Sequence, residues 1–429
     1  MPHRNLIVLL VASVAAIVCH QRVETNRYGR VLVEAMGQIE RRYVEPIGTG
    51  ELFEGAMEGM VRRLNDPYSQ FVTARELQQF NESLQQEFGG VGMEVSQDPK
   101  TRQLRVVAPL YGTPAYEARI RAGDRILRIE GRGTHGLSLA DAVRLMRGRP
   151  GTTVTLQVLH ADQSEPVELT IRRRRIPIDT VLGDTRNPDG TWNFTIEGHP
   201  EVGYARVNAF SPETADHLRR VLEVLLDGEM QKLVLDLRDD PGGLLDAAVH
   251  LSDLFLREGL IVSVRRRDGS ESYFARPRGT LPDFPMVVLV NQHSASASEI
   301  VAACLKDHGR AKIAGQRTYG KGTVQQVLDL EGGQGALKLT TASYWRPSGQ
   351  NINRHVDSTK EDDWGVRPSP SLEVQLEGEE YAQLRAWRLR RGIPRENDAV
   401  PDNEEPADFV DRQLQRAVEY LQSDAETDL

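Results

Sequence analysis

The feature that most constrains the fold of this chain is a strand–turn–helix–strand rhythm between residues 231 and 314. Gln231–Arg238 reads as a short apolar strand ended by Asp239-Asp240-Pro241-Gly242-Gly243, and the spacing predicts a helix over Leu244–Leu256. Met286–Val290 is apolar at every position, as strands buried on both faces are. A helix from about Ser296 to His308 and a strand at Ala311–Ala314 follow. Such alternation is the pattern of a parallel sheet with crossover helices. A further strand is expected at Leu337–Tyr344. The chain of 429 residues has room for about two to four domains. Its net charge of −9 argues against a nucleic-acid binder, whose surface should be basic.

The flanks read differently. Tyr28–Phe88 is expected to be helical. Val31, Leu32, Ala35, Met36 and Ile39 share one helix face, and Leu52, Ala56, Met60 and Leu64 repeat it until Asn65-Asp66-Pro67 stops the pattern. Met1–His20 places Arg4 ahead of the apolar run Leu6–Val18, broken only by Ser13. A bilayer-spanning helix needs about 20 apolar residues; this shorter run has the length of a secretory leader, cleaved or kept as a short anchor. Residues 1–26 are therefore expected to direct the chain to the periplasm or cell envelope, with any membrane association through this segment. After Leu372 the sequence is polar, with one amphipathic helix expected at Ala407–Leu421 and Val410, Leu414, Ala417, Val418 and Leu421 as its apolar stripe. The arginine run Arg172–Arg175 reads as strand residues alternating between faces at a domain join. The two cysteines, Cys19 and Cys304, exclude a disulfide framework, and no CxxC or HExxH is present, so neither a metal nor a cofactor is expected.

Between these regions, Phe88-Gly89-Gly90-Val91-Gly92-Met93-Glu94-Val95 is a glycine-rich turn running into an alternating strand. Strands at Leu104–Pro109, Arg125–Glu130 and Thr152–Leu159 and a helix at Leu139–Met146 follow. Together with Thr113-Pro114-Ala115 and Gly123-Asp124, this resembles a PDZ domain of the bacterial protease type, with Arg119 where such domains carry glycine. The resemblance implies capture of an extended peptide, whose terminal carboxylate is held by the loop Gly90, Val91, Gly92, Met93.

Two short segments carry the chemistry. Asn291–Ile300 (NQHSASASEI) lies where a strand turns into a helix, and each of Ser294, Ser296 and Ser298 reads there first as an ordinary helix cap. Twenty-five positions after Ser296, Tyr319-Gly320-Lys321-Gly322-Thr323 sets one of only seven lysines between two glycines. A lysine acts as a general base only when neutral, so its amine, ordinarily near pKa ~10.4, must be lowered by burial and neighbours. A serine hydroxyl needs such a base to become a nucleophile. The segment is not a phosphate-binding loop, since the leading glycine of GxxxxGK[ST] is missing and Gly322 stands where Ser or Thr belongs.

SASASEI followed by Arg317–Gln326 resembles the carboxyl-terminal processing peptidases, or tail-specific proteases. Leu64-Asn65-Asp66-Pro67-Tyr68-Ser69, the PDZ segment, Asp236–Gly243 and Asp411-Arg412-Gln413-Leu414 agree with it. The resemblance implies a multidomain α/β fold: a crotonase/Clp-like protease core over 176–372, an inserted α+β PDZ domain over 88–175, and helical segments over 27–87 and 373–429. It implies a serine endopeptidase that cleaves exported proteins near their C-termini. Ser296 is then the nucleophile, Lys321 the base and Gln325 its orienting partner, with an oxyanion hole from the amide of Ala297 and that of Gly242 or Gly243. A Ser–His–Asp arrangement drawing on His250, His293 or His308 with Asp236 or Asp246 is the rival mechanism. A non-catalytic PDZ scaffold is the rival function; acyl-CoA chemistry, suggested by fold alone, shows no nucleotide grip. One departure is local: Gly365-Val366-Arg367-Pro368-Ser369 replaces the family's GI-x-PD and follows a longer insert, Asn353–Asp363.

Overall fold

The computed structural model describes residues 27–85, 87–98, 101–110, 112–188, 190–392 and 409–423. The expected leader lies outside these residues. No described helix is long and apolar enough to cross a membrane. The chain divides into two compact units, one of residues 27–77 and 325–340, the other of the remainder.

In the first unit, helices Arg27–Arg42 and Thr49–Arg62 precede a strand, Gln70–Thr73, that pairs antiparallel with Gly335–Lys338. The strand corrects the expectation that the whole of Tyr28–Phe88 is helical. Its four residues are too few for a periodicity, and the partner that defines it lies far along the chain. The stripe on Thr49–Arg62 is also shifted. Met57 and Val61 are buried with Phe71, while Met60 and Leu64 are 54% and 56% exposed. The inward face is thus Phe53–Met57–Val61, closed by an edge-on contact of Phe53 with Phe71 at 6.0 Å. Arg27–Arg42 has no buried residue; it lies against helix Thr49–Arg62, with Thr49 Oγ1 donating to Glu40 Oε1 at 2.8 Å.

The second unit holds two sheets that matter for function. In the first, His199–Val207, Lys232–Asp236, Met286–Val290 and Lys312–Gly315 run parallel in sequence order. Leu233, Leu235, Met286, Val288 and Val290 face helices Thr214–Asp227, Leu245–Asp253 and Ala297–Asp307. The alternate residues Val234, Val287 and Leu289 face Leu414, Ala417, Val418 and Leu421 of a C-terminal helix, Arg412–Ser423. Coverage on both faces is why these strands read as unbroken apolar runs. Val410 of the expected stripe is exposed and lies before this helix. A second C-terminal helix, Gly378–Arg391, was not expected.

The other sheet orders Met93–Gln97, Leu104–Pro109, Arg125–Ile129, Thr153–Leu159 and Val167–Arg172 around the core of Val106, Ile126, Leu156 and Val158, capped by helix Leu139–Met146. Its two ends are drawn together by the ribbon Glu87–Gly90 with Arg174–Pro177. Arg119 sits at φ 61, so the turn keeps the backbone form for which glycine is favoured. Within the arginine run, Arg173 is buried and donates to the carbonyls of Leu145, Met146 and Thr153.

Candidate active site

The C-terminal ends of Lys232–Asp236 and Met286–Val290 deliver two turns side by side, as open parallel sheets do with their ligand-binding loops. The second turn carries the three serines, and the structure separates them. Ser294 Oγ donates to the Leu237 carbonyl at 2.7 Å and accepts from Asn291 N at 2.9 Å. Ser298 Oγ donates to the Asp240 carbonyl at 3.0 Å. Both tie the two turns together. Ser296 has the N-cap position of Ala297–Asp307, but the Glu299 amide donates to its carbonyl oxygen at 2.9 Å and its hydroxyl makes no cap bond. Its backbone stands at φ 57, ψ −113, a sparsely populated region for a serine and of the kind that clusters at active sites. Burial pushes the Tyr344 phenol up to about 12, and a hydrogen-bond contact with Ser296 pulls the other way.

One residue that the sequence reading missed organises the site. Glu299 is fully buried, and its carboxylate accepts four hydrogen bonds. Oε1 takes Thr318 Oγ1 at 2.6 Å and Gly320 N at 2.7 Å; Oε2 takes Ser296 N at 2.9 Å and Lys321 N at 2.8 Å. Burial pushes this carboxyl above its usual range, against the pull of the same four donors. Because one oxygen binds both amides, the backbone nitrogens of Ser296 and Lys321 lie at most 5.7 Å apart, the sum of the two bonds. Tyr319 N reinforces the join by donating to the Ser294 carbonyl at 3.0 Å. The signal was present in the sequence, since Ser-x-x-Glu at a helix start is a capping box. Gln325 lies on the strand Thr323–Asp329, with its amide donating to Thr340 Oγ1 at 3.2 Å.

The glycine turn separates its two glycines as well. Gly242 N donates to Asp240 Oδ1 at 2.8 Å. Among the described residues, the amides of Gly243 and Ala297 have no acceptor. The turn abuts the serine turn so tightly that a Cβ on Gly242 would meet Ala297 N at 2.9 Å and the Ser296 Cβ at 2.9 Å. Asp240 is itself fully buried, and burial pushes its carboxyl well above the usual range.

Behind this turn lies a buried ion network. Arg238 donates to both oxygens of Asp236 and of Asp411 and to Gln413 Oε1. Arg388 reaches Asp236 at 2.6 Å and Asp239 at 3.0 Å, and Tyr381 donates to Asp239. Burial alone would raise the Asp236 carboxyl, but the guanidiniums of Arg238 and Arg388 hold it well below the usual carboxylate range. Asp236 is therefore engaged by arginines and by Tyr204, not by an imidazole. His308 meets the Leu260 carbonyl at 2.7 Å, and His293 stacks on Tyr381 at 5.3 Å. The elements of the rival triad are thus not assembled around Asp236.

A second concave feature, a cavity of 260 Å³, lies between the loop Gly90–Met93 and helix Leu139–Met146, with Val143 and Met146 on its apolar wall. The Val91 and Gly92 carbonyls are held by Ala115 N at 2.8 Å and Leu110 N at 3.0 Å, and among the described residues the amides of Val91 and Gly92 have no acceptor. Successive amides left without an acceptor in this way are able to hold an anion.

Comparison with known proteins identifies the family of the chain. Residues 201–368 match peptidase family S41, residues 105–160 match the PDZ domain, and residues 20–75 match the N-terminal domain of the activating protease CtpB. A carboxy-terminal-processing protease of Bartonella bacilliformis is 36% identical over 356 residues, covering 79% of this chain and 77% of that one. The carboxy-terminal processing protease CtpA of Bacillus subtilis is 31% identical over 354 residues, 82% of this chain and 70% of its own. Among solved structures, the photosystem II D1 C-terminal processing protease aligns with a TM-score of 0.45 at 27% identity, over 80% of this chain and 92% of that one. The chain belongs to the carboxy-terminal processing proteases of peptidase family S41 and is a serine peptidase that carries a PDZ domain.

Proposed function

We propose that this peptidase cleaves exported proteins near their C-termini with Ser296 as nucleophile and Lys321 as general base. The observation that carries the reading is the shared Glu299 oxygen, which keeps the two backbones within 5.7 Å. In the reaction, Ser296 Oγ attacks the scissile carbonyl while its proton passes to the neutral amine of Lys321. The oxyanion that forms accepts from the amides of Ala297 and Gly243. Gly242 is the weaker candidate because its N–H is already held by Asp240. Fixed donors of this kind stabilise the transition state by about 3–4 kcal/mol each. Collapse breaks the C–N bond, the amine leaves with the proton from Lys321, and water hydrolyses the acyl-enzyme by the same route. The family resemblance assigns orientation of the lysine to Gln325. The PDZ groove binds the substrate's terminal carboxylate through the amides of its loop, with an apolar side chain against Val143 and Met146. Residues 1–26 export the chain to the cell envelope.

The test is cleavage of an unfolded protein by the wild type, Ser296→Ala and Lys321→Ala. Both variants should be silent, since members of one catalytic unit fail together; activity in either removes its residue from the mechanism. A substrate with an amidated C-terminus should be cleaved more slowly, and equal rates would remove carboxylate recognition. Fractionation of expressing cells reports the location.

A further inference from the structure

The residues flanking Lys321 are held by a part of the chain that the chemistry does not use. The backbone amides and carbonyls of Gly320 and Gly322 and the amide of Lys321 each have a partner. Gly320 N and Lys321 N go to Glu299, and the Gly322 carbonyl accepts from Tyr344 N at 2.8 Å. The remaining two contacts come from the insert. The Gly320 carbonyl accepts from Arg354 N at 2.8 Å, and Gly322 N donates to Asn353 Oδ1 at 3.3 Å. Contact is close enough to forbid side chains. A Cβ on Gly320, which stands at φ 88, would lie 2.7 Å from the Arg354 Cβ and 2.9 Å from the Trp364 ring; one on Gly322 would lie 2.2 Å from Asn353 N.

The insert is in turn clamped. The Trp364 ring lies between the guanidiniums of Arg317, at 3.5 Å, and Arg354, at 4.6 Å. Its Nε1 donates to the Thr359 carbonyl at 2.8 Å. Arg317 donates to the carbonyls of Lys360, Asp362 and Trp364, and Arg367 to those of Lys360, Glu361 and Asp362. Ordering a loop costs backbone entropy at every residue. Here two arginines and a buried tryptophan offset that cost for a segment whose tip, with Val356 fully exposed, makes no core.

We propose that the 353–364 segment is a buttress for the general base, and that Asn353 and Trp364 are positioning residues that fix the backbone of Lys321 and hence the reach of its amine. The inference rests on the reading of Lys321 as base. Loss of the buttress lets the Gly320–Gly322 backbone drift and water approach the amine, so the lysine regains part of its ordinary basicity. Binding of peptide at the PDZ groove is untouched.

The experiment measures kcat, KM and the pH dependence of kcat/KM for full-length Asn353→Ala, Trp364→Ala and Trp364→Phe, with unfolding followed by circular dichroism. Trp364→Ala should lower kcat about 100-fold, the scale set by misplacement of a reacting group by ~1 Å. Asn353→Ala should lower it about 10-fold. Both should leave KM within about 2-fold and move the acid limb of the profile up by about one pH unit as the amine is resolvated. Trp364→Phe keeps a ring between the guanidiniums and should recover most of the activity and the wild-type limb. The charged and titratable groups nearby are Arg317, Arg354, Tyr344 and Glu299; burial leaves the Arg317 guanidinium at about 10 and the Tyr344 phenol at about 12, and Glu299 keeps its four donors in each variant, so the limb reports Lys321. Should Trp364→Ala fail to fold, Asn353→Ala decides. Folded variants with unchanged kcat and acid limb overturn the inference, as do variants that lose stability and activity with no movement of the limb. Activity in Lys321→Ala would instead overturn the assignment of the base.

Discussion

Removal of the Glu299 carboxylate is the perturbation that most directly probes the site. Glu299→Ala takes the acceptor from Ser296 N, Thr318 Oγ1, Gly320 N and Lys321 N. Three of these bonds are buried, and each buried donor left without an acceptor costs about 1–3 kcal/mol. A water admitted to the vacated space offsets part of this. The expected loss of stability is therefore about 3–5 kcal/mol, which leaves a folded protein within the usual range of total stability. The catalytic loss should be larger in relative terms, because the alanine variant cuts the one oxygen that joins the two backbones. A shift of ~1 Å between nucleophile and base lowers kcat about 100-fold. Glu299→Gln should be milder. Its carbonyl can still serve Ser296 N and Lys321 N, while its NH₂ group faces Gly320 N and the Thr318 hydroxyl. That hydroxyl can turn and accept, but the Gly320 N–H cannot, so one donor is orphaned at a cost of about 1–3 kcal/mol. A quenched fluorescent peptide gives kcat and KM, urea unfolding gives stability, and a PDZ-binding peptide gives a control. A folded Glu299→Ala protein with kcat within about 2-fold of wild type would refute the argument that the shared oxygen holds the two groups in reach.

Three further outcomes follow from the same geometry. Gly243→Ala places a Cβ 2.2 Å from the Phe210 carbonyl oxygen; the turn must shift, and kcat should fall about 10²–10³-fold with KM little changed, the cost of one oxyanion donor. Asp236 has a lowered carboxyl pKa, so its contribution to stability is present above the unfolded value of about 4 and is lost as pH falls through that value toward the folded one. Asp236→Asn should cost about 3–5 kcal/mol at neutral pH and flatten the decline of stability in acid, measured by urea unfolding from neutral pH downward; an unchanged slope would remove Asp236 from that decline. Burial pushes the Cys304 thiol up to about 12, so iodoacetamide at mildly alkaline pH should alkylate the Cys304 peptide in denaturant and not in the native protein, as read by mass spectrometry. Modification in the native state would show that its helix opens.

What could be read from the sequence was what adjacent residues determine. Met286–Val290 is buried on both faces and has no polar residue to disguise it, so its strand was found to the residue. Helix Leu139–Met146 likewise follows from its own apolar spacing and the Ser138 cap. Lys321 drew notice because two flanking glycines and a rare lysine mark a backbone that must pack closely, whereas Ser296 was set apart from Ser294 and Ser298 only by the resemblance to the processing peptidases. Glu299 was overlooked although it stands three residues from Ser296, because a glutamate in the first turn of a helix usually serves only its own helix. Its other three donors belong to a loop about twenty residues on, and no local pattern announces them. Helix Gly378–Arg391 was missed for a different reason. Its inward positions are Tyr381, Leu384 and Arg388, a face attached by ion pairs and hydroxyls, and apolar periodicity does not register such a face.

That missed helix bears on how the Asp239–Gly243 turn keeps its shape. Asp239 stands at φ 64, and a non-glycine residue holds this form only when its surroundings require it. The requirement comes from outside the turn. Asn291 bonds Asp239 through both its amide nitrogen and its oxygen, and Tyr381 and Arg388 take the two carboxylate oxygens. Arg388 also pairs with Asp236 at the end of the strand, so one side chain fixes the residues on either side of Leu237 and Arg238. Arg238 then passes the constraint to Asp411 and Gln413 at the start of the last helix. Residues beyond the stretch that matches peptidase family S41 therefore set the backbone from which Gly242 and Gly243 depart. A buried pair of this kind is costly to break from one side, about 3–5 kcal/mol, because a charge is left without its partner. The network is thus better understood as a device for specifying one turn geometry than as a source of net stability: apolar residues could fill the same space, but they could not dictate the direction of two amides.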